Sequence, residues 1–281
     1  MKRTKGRSAI REVASSAMGI ASLAILAVFI VGAFLAFLSP YDPNALDITQ
    51  KLQSPNAHHW FGTDDYGRDT FTRALYGGRV SLLVGFSSMI LATVIGVAVG
   101  VVSGYFGGWI DNLLMRLLEI ILSIPSFLVI LLLSVMLKPN LGSIVIIIGS
   151  LMWMQMARIV RAETLAIRER EYVLYAKASG QNSFGIIGRH ILPGLIPVIV
   201  VGATNNVASA IMMESSLSFL GFGVQPPDAT WGSMLNGAQG FVTQAPYMAI
   251  FPGALILLTV LSFNILGDLL RVGLEPKLGK R

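Results

Sequence analysis

The run DDYGRD at residues 64–69 of this 281-residue sequence groups three aspartates with an arginine. Clustered carboxylates can bind a cation through their oxygens. Three acids without a fixed geometry do not define such a site, so we predict no metal here. We instead expect the charged members of the run to contact a partner protein; they are Asp64, Asp65, Arg68 and Asp69.

The sequence offers little for catalysis. It has no cysteine, which excludes disulfides, thiol catalysis and cysteine-ligated metals. The three histidines, His58, His59 and His190, lie outside the apolar stretches, which also contain neither G-x-S-x-G nor H-E-x-x-H. A G-x-x-x-x-G-K-[ST] phosphate loop is missing, because the Gly279-Lys280 pair lacks the upstream spacing. We therefore expect a chain that is not an enzyme and has no cofactor of its own.

The elements that must position these residues are membrane-spanning helices. Hydrophobic residues make up 54% of the chain and charged residues 13%, against about 25% charged in a typical soluble domain. The apolar residues form blocks long enough to cross a bilayer, which needs about 20 residues each. We predict an all-α membrane protein with six transmembrane helices at residues 14–38, 80–102, 117–137, 143–159, 195–217 and 248–270. The first block is too long for a signal peptide and lacks an A-x-A site, so we expect it to be retained.

The basic residues predict the orientation. Most of the 21 Lys and Arg residues fall before the first block, in the loop at residues 160–194, or in the tail at 271–281. The positive-inside rule makes this side cytoplasmic, together with both termini. It also accounts for the net charge of +6 without a nucleic-acid partner.

The spans divide the chain into three parts. Residues 1–79 hold the N-terminal tail, the first span and an extracytoplasmic segment. Residues 80–270 form a five-helix core, with a cytoplasmic loop at 160–194 and an extracytoplasmic loop at 218–247. Residues 271–281 are a cytoplasmic tail.

Some residues inside the spans stand out. Gly96, Gly100 and Gly104 are four residues apart, which lets another helix approach one face closely. Pro125 should kink the third span. Polar residues are sparse in the spans and comprise Gln155, Asn205, Asn206, Glu214, Asn264 and Asp268. We expect Glu214 and Asp268, near span ends, to reach the interface, and no acid–base chain for proton-driven transport is present.

The loop at residues 160–194 is the most informative segment. Its part EYVLYAKASGQNSFGIIGRHILP, residues 171–193, predicts a helix, a turn at Gly180 and a second helix capped by Asn182 or Ser183. Exposed aromatic residues on such a hairpin need a cover. A protein partner is one possibility, and the lipid surface is the other.

This segment resembles the EAA loop of ABC importer permeases. That motif reads Glu-Ala-Ala, three residues, Gly, nine residues, an apolar residue, any residue and Leu-Pro. Ala176, Gly180 and Leu192-Pro193 match it. Leu174 replaces the Glu, Tyr175 the first Ala, and His190 the apolar residue, which puts an acidic contact at position 174 in doubt.

Three further segments narrow the resemblance. Residues 59–82, 214–234 and 264–276 are similar to C-type permeases of dipeptide, oligopeptide and nickel importers, although Val272 stands where an acid is common. The resemblance implies the type I importer permease fold in a bacterial or archaeal inner membrane. It also implies a B-type permease as the other half of a heterodimer, one or two ABC ATPase subunits that bind ATP and Mg, an extracytoplasmic solute-binding protein, and surrounding lipid.

The resemblance also assigns residues. We expect the ATPase to dock on the coupling loop, which comprises Leu174, Tyr175, Ala176, Lys177, Ala178, Ser179, Gly180, Gln181, Asn182, Ser183, Phe184, Leu192 and Pro193. Candidate pore or gate residues are Pro125, Asn205, Asn206 and Glu214. The charged run at residues 64–69 would contact the binding protein, and the loop at 218–247 would dip toward the pore mouth.

Several functions remain open from sequence alone. Peptides fit best as the solute, and nickel or a metal chelate is the alternative. A secondary transporter would share the spans without needing an ATPase, and a receptor or scaffold would share the topology without transport.

Overall fold

The computed structural model describes residues 3–138 and 140–274, with side chains from Ala9 onward. These residues form helices joined by loops, with an isolated β-bridge between Thr63 and Asp69. The helices are α1 (Arg3–Ser15), α2 (Ala17–Phe34), α3 (Thr70–Phe106), α4 (Gly108–Leu122), α5 (Ser126–Met136), α6 (Leu141–Arg168), α7 (Glu171–Ala178), α8 (Ser183–Ile186), α9 (Leu192–Phe219), α10 (Trp231–Ala238) and α11 (Tyr247–Leu274). The predicted tail beyond residue 274, and the match there up to Pro276, lie outside the described residues.

The predicted all-α architecture with six spans is confirmed. Over the described residues, five helical segments are long and apolar enough to cross a membrane. They are Ala17–Leu38, Thr70–Phe106, Leu141–Arg168, Ser183–Phe219 and Tyr247–Leu274. The pair α4 and α5, bent by 77° at the break between them, brings the number to six when it is counted as one broken span.

The break between α4 and α5 confirms the kink expected at Pro125. Helix α4 ends at Leu122 and α5 begins directly after Pro125. Proline has no N–H to donate and its ring clashes with the preceding turn, so a helix cannot continue through it undisturbed. The third predicted span is therefore two helices rather than one bent helix.

Several helices extend beyond the predicted spans. Helix α3 begins at Thr70 because the Asp69 carboxylate caps it, accepting a hydrogen bond from the Thr72 N–H at 2.7 Å. Helix α6 continues to Arg168, so residues 160–168 are helical and not part of a loop as predicted. A separate helix α1 ends at Ser15 and Ser16 caps α2, so the first span begins at Ala17 and not at residue 14.

Helices α3 and α6 pack closely through the predicted glycine face. A Cβ added at Gly96 would lie 2.6 Å from the Met156 Cβ, and one at Gly100 would lie 2.6 Å from the Ala157 carbonyl oxygen. At Gly104 it would lie 2.7 Å from the Thr164 Cβ. No side chain fits into these gaps, so the glycines set the distance between the two helices.

The same helices are fastened at one end by charged groups. The Arg161 guanidinium makes two hydrogen bonds of 2.6 Å to the Asp111 carboxylate, which ties α6 to α4. Ser103 of α3 donates a further hydrogen bond to Asp111. Arg168 donates to the Tyr105 carbonyl oxygen at 3.2 Å. A forked guanidinium–carboxylate pair fixes orientation as well as distance. This pair therefore fixes α4, which precedes the break at Pro125, relative to α6.

Helix α10 lies against the spanning helices instead of standing free in solvent. Trp231, its first residue, is buried in the core shared by α2, α3, α9 and α11. Its indole N–H donates to the Ala74 carbonyl oxygen at 2.9 Å. A buried tryptophan with its N–H paired is a strong anchor, so this part of the loop at residues 218–247 is attached to the bundle.

Candidate functional site

The coupling loop begins with the short helix α7, which is anchored from one side. Val173 and Ala176 are buried and pack in a cluster with Ile167, Ile186 and Ile191. The other residues of the helix lie at the surface. Helix α7 is therefore docked on the ends of α6 and α9 through one face, and its opposite face is open.

A glycine-dependent turn follows α7. Gly180 has a φ of 76°, in the left-handed region that residues with a side chain rarely adopt. The Gly180 N–H donates to the Lys177 carbonyl oxygen, and the Gln181 N–H donates to that of Ala176, each at 3.1 Å. This pair of bonds is the Schellman ending of a helix. Space around Gly180 is free, so its backbone conformation, not crowding, requires glycine.

The second half of the coupling loop leads into the membrane. The Asn182 side chain caps α8 by accepting a hydrogen bond from the Gly185 N–H at 2.7 Å. A π-helical segment, Ile187–Ile191, then joins α8 to α9. Pro193 lies in the first turn of α9, where the missing N–H costs nothing. The predicted order of helix, turn and helix is observed.

The open face of the coupling loop is aromatic. Tyr175 and Phe184 are 76% and 83% exposed. Tyr172 and Leu174 are exposed beside them. Large apolar side chains in contact with solvent favour a partner that covers them.

Glu171 supplies an acid on this face. It lines a cleft of about 800 Å³ together with Tyr175, Ser179, Gln181 and His190. Glu171 and Tyr175 are four residues apart and share a helix face. Glu171 and Tyr175 therefore line the same cleft, although Glu171 is too far back in register to replace the acid of the motif directly.

The charged run at residues 64–69 has a largely internal role. Asp64 accepts hydrogen bonds from the Arg68 side chain at 2.7 Å and from the Tyr66 N–H at 2.9 Å. Asp69 is bonded to His59 at 2.9 Å and caps α3. Both acids are buried. Their burial and their hydrogen bonds give both acids a structural role.

Asp65 and Tyr66 remain accessible in this run. Tyr66 is exposed and carries the Arg68 guanidinium over its ring at 4.6 Å. Asp65 is half-buried, and this burial raises the pKa of its carboxyl group, with a further contribution from the Asp64 charge. The surface that this segment offers to a partner is therefore centred on Asp65, Tyr66 and Arg68.

Glu214 does not reach the interface as expected, because it is completely buried. Its carboxylate accepts hydrogen bonds from the hydroxyl groups of Ser218 at 2.7 Å and Ser81 at 3.0 Å. Ser81 in turn accepts from the Trp231 N–H at 3.3 Å. The chain of bonds joins α9, α3 and α10. Asp268, by contrast, is exposed.

The two adjacent asparagines of α9 face different neighbours. The Asn205 Oδ1 lies so close to α11 that a Cβ added at Gly267 would be 2.6 Å from it. Asn206 lines a cavity between α9, α6 and the break at Pro125. Sequence reasoning grouped both with the pore residues and missed Ser126 and Ser209, which line the same cavity. Ser126 and Ser209 lie close to Pro125 and Asn206 in the sequence, and this proximity could have identified them as candidate pore residues.

A bundle of apolar spans with an exposed helix–turn–helix between two of them is the architecture of a membrane transport permease. The chain belongs to the family of binding-protein-dependent transport system inner membrane components, whose profile matches residues 96–280. Residues 4–55 match the N-terminal TM domain of oligopeptide transport permease C. These matches confirm the C-type resemblance and a multi-pass inner-membrane location.

Curated relatives are similar over almost the whole chain. The dipeptide transport system permease protein DppC of Bacillus subtilis is 42% identical over 274 residues, covering 97% of this chain and 86% of the relative. DppC of Alkalihalophilus pseudofirmus is 39% identical, covering 97% and 90%. The glutathione transport system permease protein GsiD of Escherichia coli is 37% identical, covering 92% and 86%.

Proposed function

We propose that this chain is one of the two pore-forming permease subunits of an ATP-driven importer of di- or oligopeptides. The observation that carries the proposal is the exposed aromatic face at Tyr175 and Phe184, held between two spans by the turn at Gly180. The similarity to two dipeptide permeases supports the same conclusion. The chain itself performs no catalysis, and ATP and Mg bind to partner ATPase subunits.

The coupling loop is the docking surface for an ATPase subunit. Its buried face, at Val173 and Ala176, transmits movement to the cluster around Ile167 and Ile191. Its open face presents Tyr175 and Phe184 to the partner, and Glu171 supplies an acidic contact. The turn at Gly180 fixes the angle between α7 and α8. A displacement of the coupling loop by the ATPase therefore moves α6 and α9 together.

The remaining partners cover other surfaces. A B-type permease completes the pore by packing against exposed apolar faces of the spans, and lipid covers the rest. The solute-binding protein docks on the outer side, at Asp65 and Tyr66 and at the loop of residues 218–247. Both termini lie in the cytoplasm, as the distribution of basic residues favours.

Peptides are the solute that the relatives' names favour. The test is uptake of radiolabelled Ala-Ala into proteoliposomes that contain this chain, the second permease, the ATPase subunits and the loaded binding protein. We expect uptake that requires ATP and every subunit. Uptake without the ATPase, or failure to transport any of a set of di- to pentapeptides, would exclude the proposed function.

A further inference from the structure

A polar cavity lies among otherwise apolar spans. It has a volume of about 160 Å³, lies between α6, α9 and the broken pair α4–α5, and is open on the side where Gln155 and Ser209 are exposed. Four uncharged polar side chains line it: Ser126, Gln155, Asn206 and Ser209. The rest of its wall is apolar and includes Met152 and Met213.

The polar groups lie inside apolar spans. Gln155 is at the middle of α6 and Asn206 is at the middle of α9. Pro125 breaks the α4–α5 pair, and Ser126 follows the break directly. Polar groups inside spans are costly and are retained where they serve a function. Secondary transporters build their solute sites from discontinuous helices, and a broken helix pair lines this pocket too.

One of these groups has no partner within the described residues. The Asn206 Nδ2 is buried and makes no hydrogen bond there. An unpaired buried donor costs roughly 1–3 kcal/mol, which is recovered when an acceptor arrives. The beginning of α5 adds further donors, because no side chain caps it and the first N–H groups of a helix lack intrahelical partners.

We propose that this pocket binds the main-chain amide groups of the peptide during its passage, an inference that rests on the proposed function. Side-chain amides offer both a donor and an acceptor, which match the C=O and N–H of a peptide unit. The two methionines are flexible and adapt to different solute side chains. A volume of 160 Å³ equals roughly five waters of about 30 Å³ each, enough for a peptide unit but not for a whole solute.

The first test replaces the amides in the complete reconstituted complex. Asn206→Leu combined with Gln155→Leu removes the hydrogen-bonding groups and keeps similar volume. We expect the rate of Ala-Ala uptake at saturating binding protein to fall at least about tenfold, while ATP hydrolysis stimulated by loaded binding protein stays within about twofold. Asn264→Leu is the matched control, because Asn264 lies on α11 and does not line the pocket, and its uptake should stay within about twofold.

The second test does not depend on the stability of that double variant. The chain contains no cysteine, so Ser209→Cys creates a unique thiol in the pocket with little change in size. Labelling by a methanethiosulfonate reagent should slow when Ala-Ala is transported with ATP. The thiol of Asn264→Cys, on α11 and outside the pocket, should be labelled at the same rate with and without Ala-Ala.

The outcomes separate the two proposals. If the wild-type complex imports no peptide, the proposed function fails and this inference fails with it. If the wild type imports Ala-Ala, the pocket assignment is overturned by undiminished uptake in the double variant, by an equal loss in Asn264→Leu, or by unprotected labelling at Ser209→Cys.

Discussion

Glu214 links three helices through hydroxyl groups and has no access to solvent. Such a carboxylate is stable in the fold only while its oxygens are paired, because each buried group left without a partner costs roughly 1–3 kcal/mol. Its partners belong to α3 and α9, and Ser81 extends the connection to the first residue of α10. The residue thus attaches the outer loop to the spans.

Two substitutions of Glu214 should separate the contribution of side-chain volume to the free energy of unfolding from that of hydrogen bonding. We expect Glu214→Ala to lower the free energy of unfolding by roughly 2–3 kcal/mol, because it leaves Ser81 and Ser218 unpaired and opens a cavity. Glu214→Gln keeps two polar atoms in place and should cost less than about half as much. Thermal unfolding in detergent, followed by tryptophan fluorescence, measures both.

The matched control for Glu214 is an exposed acid. Glu119 pairs with Arg116 at 3.1 Å on the surface, and Glu119→Ala should change stability by less than about 1 kcal/mol. Equal midpoints for Glu214→Ala and Glu214→Gln would show that the hydrogen bonds of the carboxylate do not stabilise the fold.

At the scale of elements, the contact between α3 and α6 is set by three glycines. In an isolated helix, replacing glycine with alanine gains roughly 0.5–1 kcal/mol of helix stability. At Gly100 the added methyl group would approach the Ala157 carbonyl oxygen to 2.6 Å, and this oxygen belongs to a helix backbone that cannot yield locally. Overpacking of this kind costs typically 1–3 kcal/mol, so the steric effect outweighs the gain in propensity.

We therefore expect Gly100→Ala to be destabilising by about 1–2 kcal/mol. The control is Ala98→Leu on the same helix, at an exposed position, which should leave the unfolding midpoint nearly unchanged. Both variants are compared by thermal unfolding of the purified chain. A midpoint for Gly100→Ala at or above that of the wild type would mean that α3 and α6 do not pack at this distance.

Sequence reasoning located the spans well because hydropathy and lipid thickness are local properties of each block. It also placed the break at Pro125 and the turn at Gly180, since both depend on the backbone of a single residue. It ended α6 too early, because Arg158 and Arg161 marked the edge of the lipid and not the end of the helix. The Asp69 cap of α3 was readable as Asp followed by Thr, but it was assigned to a surface contact.

The burial of Glu214, Asp64 and Asp69 was not predictable in this way. Glu214 is covered by a distant segment that includes Ser81, whereas Asp64 and Asp69 are bonded to residues within ten positions whose loop conformation could not be read from the sequence. The pocket at Asn206 also depends on distant segments, since it requires α5, α6 and α9 to meet. Contacts between segments that are far apart in the chain cannot be predicted from the local composition of either segment.

At the scale of the whole molecule, the proposed orientation places the coupling loop and both termini in the cytoplasm. Single cysteines test it directly, because the chain has none of its own. Ser54→Cys, in the exposed segment before α3, should react with a membrane-impermeant maleimide added to whole cells with a permeable outer surface. Ser179→Cys, beside the turn at Gly180, should react only after the cells are broken. The reverse pattern would invert the topology and remove the ATPase contact.

The central claim is that ATP hydrolysis drives transport through the turn at Gly180. The measurement is uptake of Ala-Ala and ATP hydrolysis in the same proteoliposomes, with Gly180→Glu compared with Gly188→Glu. Both glycines are exposed with free space around them, but only Gly180 of the two has a positive φ. We predict that Gly180→Glu lowers uptake at least about tenfold and abolishes stimulation of ATP hydrolysis by loaded binding protein, while Gly188→Glu stays within about twofold of the wild type. Normal uptake with normal stimulation in Gly180→Glu would contradict the account.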